Sequence, residues 1–189
     1  MRLPGGGAPC TLLLRDGAIT EIVPSAARLS VGVAAVDGGG GVVLPRFLDA
    51  HMHLDKTLMG EPWIPLPEAA TLRDRIATAE GILEHRTILT VAERAARLAQ
   101  SALSYGTLAL RSHADVTPRL GLRSVEALLD LRLRLAGLIE VQVVAFPQAG
   151  ALTPGVAELL EEALRAGADA LGGLDPWGYD GEIEGQLGM

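Results

Sequence analysis

The chain has 189 residues, 49% of them hydrophobic, 21% charged and 3% aromatic. That length suits one domain or a domain and a part, and the apolar share excludes a disordered chain. A net charge of −7 excludes the clustered basic surface that nucleic-acid binding needs.

The first stretch reads as strands. Thr11 to Arg15 is apolar and β-compatible, Asp16-Gly17 is a hairpin turn signal, and Ala18 to Val23 is the returning strand. A third strand is expected over Val33 to Val36, before the Gly38-Gly39-Gly40-Gly41 run marks a module boundary. Residues 1–42 are therefore expected to form part of a small β-sandwich module.

From Val42 the pattern changes to alternating strands and helices. Strands are expected near 43–50, 106–112, 139–146 and 169–174. Helical composition covers Glu68 to His85. Thr90 and Glu93 predict a capping box for a helix reaching Tyr105, which Gly106 ends. Ser124 to Leu135 predicts a further helix. Thr153-Pro154 is expected to cap another one through Arg165, with Gly167 as its stop. Strand and helix alternating at about 30 residues define parallel βα units, and such sheets build their sites at the carboxyl ends of the strands.

His51-Met52-His53 stands at the first of those ends. On a strand, residues i and i+2 share a side, so two imidazoles can hold one metal ion. Asp55 continues the parity as an acceptor that would orient a histidine ligand. Elsewhere, His85 reads as structural. His113 reads as a pocket-lining or hydrogen-bonding residue. Trp63 and Trp177 read as loop packing or pocket wall, and Asp175 as a pocket candidate. A single cysteine, Cys10, excludes an internal disulfide and a Cys-rich zinc module. No apolar run is long enough for a membrane span, no signal peptide is recognised at the start, and a cytoplasmic location is expected. Of 16 basic residues only Lys56 is lysine, a bias that GC-rich coding explains.

The segment LPRFLDAHMHLDKT resembles the first barrel strand of the amidohydrolase superfamily, most closely its cytosine deaminase-like branch. LRSHADV, EVQVVAFPQAG and LLEEALRAGADALGGLDP resemble that branch's next segments, so the likeness runs from about residue 10 to about 187. The resemblance implies a (β/α)8 barrel, of the α/β class, with a small β-sandwich. Residues 43–189 would be its first four βα units, a partial TIM barrel. It implies one divalent ion, zinc or iron, with His51 and His53 as ligands and a glutamate as proton shuttle. Gln148 matches a glutamine that binds a pyrimidine amide edge. Lys56 and His113 fall at positions that face the substrate, although a salt-bridged Lys56 is the plainer reading. The absence of a lysine near 169–176 argues against a lysine-bridged pair of metals.

The implied function is hydrolysis of a C–N bond in a cyclic amidine, cytosine being the simplest case. Two alternatives stand beside it: an amidohydrolase acting on an N-substituted triazine or amide, and a non-enzymatic half-barrel that assembles with another chain. A barrel takes about 250 residues. The branch's His-x-x-Glu segment, a later His and a later Asp have no counterpart here. The chain by itself is therefore expected to be a truncated, inactive, weakly metal-binding fragment that associates through its open barrel edges.

Overall fold

The computed structural model describes residues 1–25 and 32–188. The chain divides into two compact units, Met1–Pro45 and Arg46–Met189. The sequence placed the division at 42. Val42 and Val43 stay with the first unit because both are tied to Arg2, Val42 by a β-bridge and Val43 by its amide on the Arg2 carbonyl at 2.8 Å.

In the first unit, β1 (Cys10–Arg15) and β2 (Ala18–Pro24) pair antiparallel. The turn between them needs positive φ at both central residues, and Asp16 (52°) and Gly17 (78°) supply it. The expected strand over Val33 to Val36 does not form: the segment is irregular, and Val36 is 87% exposed. β-branched composition alone gives no ladder when no neighbouring strand takes up the backbone amides.

The second unit is a four-stranded parallel sheet in the order β3-β4-β5-β6. Its strands are β3 (Phe47–Met52), β4 (Thr107–Asp115), β5 (Glu140–Phe146) and β6 (Ala170–Leu171). Helices α1 (Leu72–His85) and α2 (Val91–Ser104) connect β3 to β4. Helix α3 (Arg123–Arg134) connects β4 to β5, and α4 (Val156–Ala166) connects β5 to β6. A π-helical turn (Pro176–Asp180) and the short α5 (Glu184–Leu187) follow. This agrees with the partial barrel that the resemblance implied. β3 and β6 are its open edges.

Side-chain parity divides the sheet's two faces. Leu110, Ala114 and Val116 from the β4 region and Val141, Val143 and Ala145 from β5 pack with Ala95 and Ala99 of α2, Val125, Leu128 and Leu131 of α3, and Val156, Leu160 and Ala163 of α4. The opposite parity carries His51, Arg111, His113, Asp115, Gln142 and Phe146. The apolar core thus leaves the polar residues one face and the strands' carboxyl ends.

Helix starts follow local chemistry. Thr90 accepts from the Glu93 amide at 3.2 Å while Glu93 accepts from the Thr90 amide at 2.8 Å, the reciprocal box that the sequence announced. Thr71 and Asp74 form a second box, so α1 begins at Leu72 rather than Glu68. Thr153 does not cap α4: its hydroxyl turns back to the Ala149 carbonyl, and Gly155, at φ 84°, is the N-cap instead. Gly167 ends α4 at φ 114°, as expected of a left-handed stop. β6 is shorter than expected because the Asp169 carboxylate takes the Val143 amide at 2.7 Å, a ladder position a backbone carbonyl would otherwise fill. Thr90→Ala is expected to cost about 1 kcal/mol of stability, read as a lower urea midpoint with unchanged slope.

Candidate metal and substrate site

The site is built where β3 and β4 end. β3 delivers His51, and the chain just past it delivers His53. β4 delivers His113 and, two residues on, Asp115. The His51 and His113 rings lie 4.2 Å apart between centroids, and His53 lies 5.3 Å from His51 and 5.4 Å from His113. Each ring offers a nitrogen within 4.8 Å of those of the other two. The Phe146 ring stands edge-on to His53 and His113 and forms an apolar wall.

Two observations fit this cluster to a divalent ion. His53 Nδ1 and His113 Nδ1 are buried without a hydrogen-bond partner. Both rings are also held neutral, the form that ligates metals. Burial, then the charges of Lys56, His113 and His51, pushes His53 down to about 4. Burial and then His51 lower His113. His113 was expected to line a pocket or to bond within the barrel; it joins the two histidines of the His-x-His pair.

Below the histidines lies a carboxylate pair. Asp55 is buried, and its Oδ2 accepts from the Asp115 amide at 2.8 Å. Its Oδ1 has no hydrogen-bond partner and sits 3.9 Å from His53 Nδ1. That is beyond hydrogen-bond range, so Asp55 does not orient His53 by a direct bond; it braces β3 against β4 instead. Burial, reinforced by the Asp115 charge, pushes Asp55 up to about 7. Asp115 is raised by burial against the opposing pull of Lys56. His53, Asp55 and Asp115 also each bring a ligand atom within 4.8 Å of the others.

Lys56 bridges the two halves of the site. Its Nζ lies 2.8 Å from Asp115 Oδ1 and donates to Gln148 Oε1 at 2.7 Å, with the Phe146 ring centroid 5.8 Å away. Two residues that the sequence put forward separately, Lys56 and Gln148, are brought into contact across 92 positions of chain.

The loop carrying Lys56 is pinned from below by Arg94, which is 2% exposed on α2. Arg94 donates Nε to the Thr57 carbonyl at 2.8 Å, Nη2 to the Asp55 carbonyl at 3.3 Å and Nη1 to the Leu89 carbonyl at 2.5 Å. Glu61 stands 3.9 Å from it and accepts from the amides of Ile88 and Leu89. Ser112, fully buried, accepts from the Leu54 amide at 3.0 Å and fixes the exit of β3.

Two cavities border these groups. One of about 290 Å³ is lined by Asp55, Glu80, Arg94, Asp115, Arg119 and Ser124, and none of the three histidines lines it or the second cavity. The other, about 150 Å³, is lined by Lys56, Arg75, Glu80, Leu83, Asp115 and Gln148. The smaller cavity holds the residues suited to grip a ring. Glu80, on its wall, is raised by burial and then by Asp115.

The remaining candidates lie elsewhere. Trp63 is 90% exposed and Trp177 is 71% exposed, and neither lines a cavity described above. Asp175 lines neither of these cavities; its carboxylate accepts from the amides of Trp177 and Gly178 and caps the π-helical turn. His85 ends α1 beside Glu84 at 3.1 Å, a surface pair. Sequence reasoning missed Asp115, Glu80 and Arg94 as site groups. Asp115 was open to detection, since it repeats after His113 the two-residue step of His51 and His53. Arg94 carried a signal too, a charge at the buried stripe of an amphipathic helix.

The buried groups set a pH dependence. Between 6.5 and about 4 the unfolded chain protonates residue 53 while the folded chain resists, so stability falls with acid there. Asp55 acts oppositely. From 3.8 to about 7 the folded chain keeps a proton that the unfolded chain releases, so stability falls as pH rises. Asp55→Asn removes the second effect and keeps an acceptor for Asp115. Its urea midpoint should therefore climb more steeply than wild type between pH 4 and 6.5; an unchanged slope would contradict the assignment.

A parallel βα sheet with histidines and carboxylates gathered at its strand ends is the arrangement of metal-dependent hydrolase barrels. No family model matches the chain. Individual proteins do. It is 35% identical over 167 residues to N-isopropylammelide isopropyl amidohydrolase of Pseudomonas sp. (strain ADP), covering 82% of this chain and 39% of that protein. It is 36% identical over 179 residues to the uncharacterized protein YahJ of Escherichia coli (strain K12), covering 94% of this chain and 39% of that protein. The crystal structure of N-isopropylammelide isopropylaminohydrolase from Burkholderia multivorans superposes with a TM-score of 0.81 at 36% identity, over 96% of this chain and 45% of that one. The 5-methylcytosine deaminase of Klebsiella pneumoniae, liganded with 5-fluorocytosine, gives 0.74 at 34%, over 91% and 41%. The chain is thus homologous, over most of its length, to enzymes of the amidohydrolase superfamily, and it spans under half the length of these relatives. Among the described residues no helix is long and apolar enough to cross a membrane.

Proposed function

We propose that this chain supplies one part of a metal-dependent hydrolase that cleaves a C–N bond of a cyclic amidine, cytosine-like in the simplest case, in the cytoplasm. The observation that carries the reading is the convergence of His51, His53 and His113 beside Lys56 and Gln148. The three neutral imidazoles would hold a divalent ion, whose chemistry is Lewis acidity toward water. The chain's own groups do the rest. Lys56 and Gln148 present hydrogen-bond donors to a ring. Phe146 and the buried strand ends keep bulk water from one side. Arg94 and Ser112 hold the β3 exit so that His53 and Lys56 stay aligned.

A second reading, hydrolysis of an N-substituted triazine, is supported by the relatives named N-isopropylammelide amidohydrolases, which are 35% and 36% identical to this chain against 34% for the deaminase. The open edges β3 and β6, with Phe47, Leu48 and Leu171 exposed, support closure of the sheet by other strands, from further sequence or from a second copy. The test is a chimera joining these residues to the remaining portion of the Burkholderia enzyme. Ammonia release from cytosine supports the first reading and isopropylamine release from N-isopropylammelide the second. A soluble, zinc-loaded chimera releasing neither overturns both.

A further inference from the structure

We propose that the larger cavity, which none of the three histidines lines, is a second ligand site. It takes a compact zwitterion of the free amino-acid class, with the carboxylate against the first turn of α3 and the ammonium against Glu80. This inference stands independently of the hydrolase reading. At about 290 Å³ the cavity falls just under the range of small-molecule sites, about 300–1,000 Å³, so the ligand is small. The donors come from α3. Its N-cap residue, Leu122, makes no side-chain hydrogen bond, and the amides of Ser124 and Val125 have no partner among the described residues. Such free amides carry the positive end of the helix dipole and favour an anion. Ser124 is a second, independent pointer: it is 6% exposed, it lines the cavity, and its hydroxyl makes no hydrogen bond among the described residues. A buried hydroxyl left unpaired is costly, and a ligand carboxylate would remove that cost.

The charged groups around the cavity divide into satisfied pairs and two open poles. Arg119 is paired with Glu84, Arg94 with Glu61, and Asp115 with Lys56. Arg123 lines the cavity beside Ser124 and forms no ion pair among the described residues. Its Nε donates to the Leu120 carbonyl at 3.0 Å and its Nη2 to the Arg119 carbonyl at 2.8 Å, which fixes the guanidinium near the start of α3. The opposite pole is acidic. Glu80 makes no hydrogen bond or ion pair among the described residues, and Asp55 lies on the same lining. Glu80 and Asp115 also line the smaller cavity, which places this pole toward the strand ends. A lone anion would meet the free carboxylates, and a lone cation would meet Arg123 and the helix start. A molecule carrying both charges satisfies both poles.

The test titrates the full chain, labelled with 15N-serine, with two zwitterions of different charge spacing, L-alanine and 4-aminobutyrate. Butyrate and butylammonium, each with one charge, are the controls. At least one zwitterion is expected to shift, saturably, the amide signal that Ser124→Ala removes. It should bind at least about tenfold tighter than either control, the scale of one charge-assisted hydrogen bond. Glu80→Gln should erase the advantage over butyrate while the Ser124 signal still responds to butyrate. Arg123→Gln, a change on an exposed side chain, should weaken the zwitterion and butyrate alike by about tenfold, and it serves alone if Glu80→Gln does not fold. Binding of neither zwitterion overturns the inference. So does butyrate or butylammonium binding as tightly as the zwitterion, a saturable response that leaves the Ser124 signal unmoved, or unchanged zwitterion affinity in the variants. Zinc affinity is expected to be the same with and without the zwitterion at the Ser124 site, so this site and the hydrolase reading fail separately.

Discussion

Arg94→Ala should destabilise the second unit by about 3–5 kcal/mol, the range for stripping one partner from a buried charged network. Three carbonyls, those of Asp55, Thr57 and Leu89, lose their donor together. The guanidinium that satisfies them is only 2% exposed, and its bond to the Asp55 carbonyl is fully buried. Leaving a buried acceptor unpaired costs more than the net worth of the bond it made. Glu61, close to Arg94, would also face the vacancy. Arg94→Met separates packing from charge: it restores much of the side chain's volume and still leaves the carbonyls bare, so most of the loss should persist. Urea unfolding followed by circular dichroism measures both. A loss under about 1 kcal/mol for Arg94→Ala would show that the network is solvated and not structural.

His53→Ala and His113→Ala are each expected to lower zinc or cobalt affinity at least about 100-fold, beyond what loss of an outer hydrogen-bonding partner costs. The reason is the shared geometry: one nitrogen from each of three rings lies within 4.8 Å of the others, so removing a ring leaves two donors and open coordination. His85→Ala, remote on the surface end of α1, is the control and should change nothing. Visible absorption of the cobalt-loaded chain reports the binding. His53→Ala binding as tightly as wild type would remove His53 from the ligand set. Affinity should also fall with acid, since protons compete for the ring nitrogens.

Much of the fold was legible because it is governed by short-range rules. The Asp16-Gly17 turn, the Thr90–Glu93 box and the Gly167 stop each need only neighbouring residues, and all three appear as read. Where a local signal failed, a competing partner explains it. Thr153 found the Ala149 carbonyl, Asp169 took a ladder amide, and Val33 to Val36 had no strand to join. The pair His51 and His53 was legible through strand parity, and the same parity points to His113 and Asp115. Arg94 and Glu80 were not chosen, because their importance depends on which loop and cavity they face.

The sequence by itself determined the alternation of parallel strands and helices, the residue types at the strand ends and the resemblance that names their chemistry. These follow from periodicity and motif, which act over a few residues. Only the tertiary structure decided the partners. It set His113 against His51, turned Asp55 from a histidine's acceptor into a brace for Asp115, and joined Lys56 to Gln148. Those pairings lie 60 and 92 residues apart for the last two cases. They depend on strand register and on burial, which no local pattern encodes.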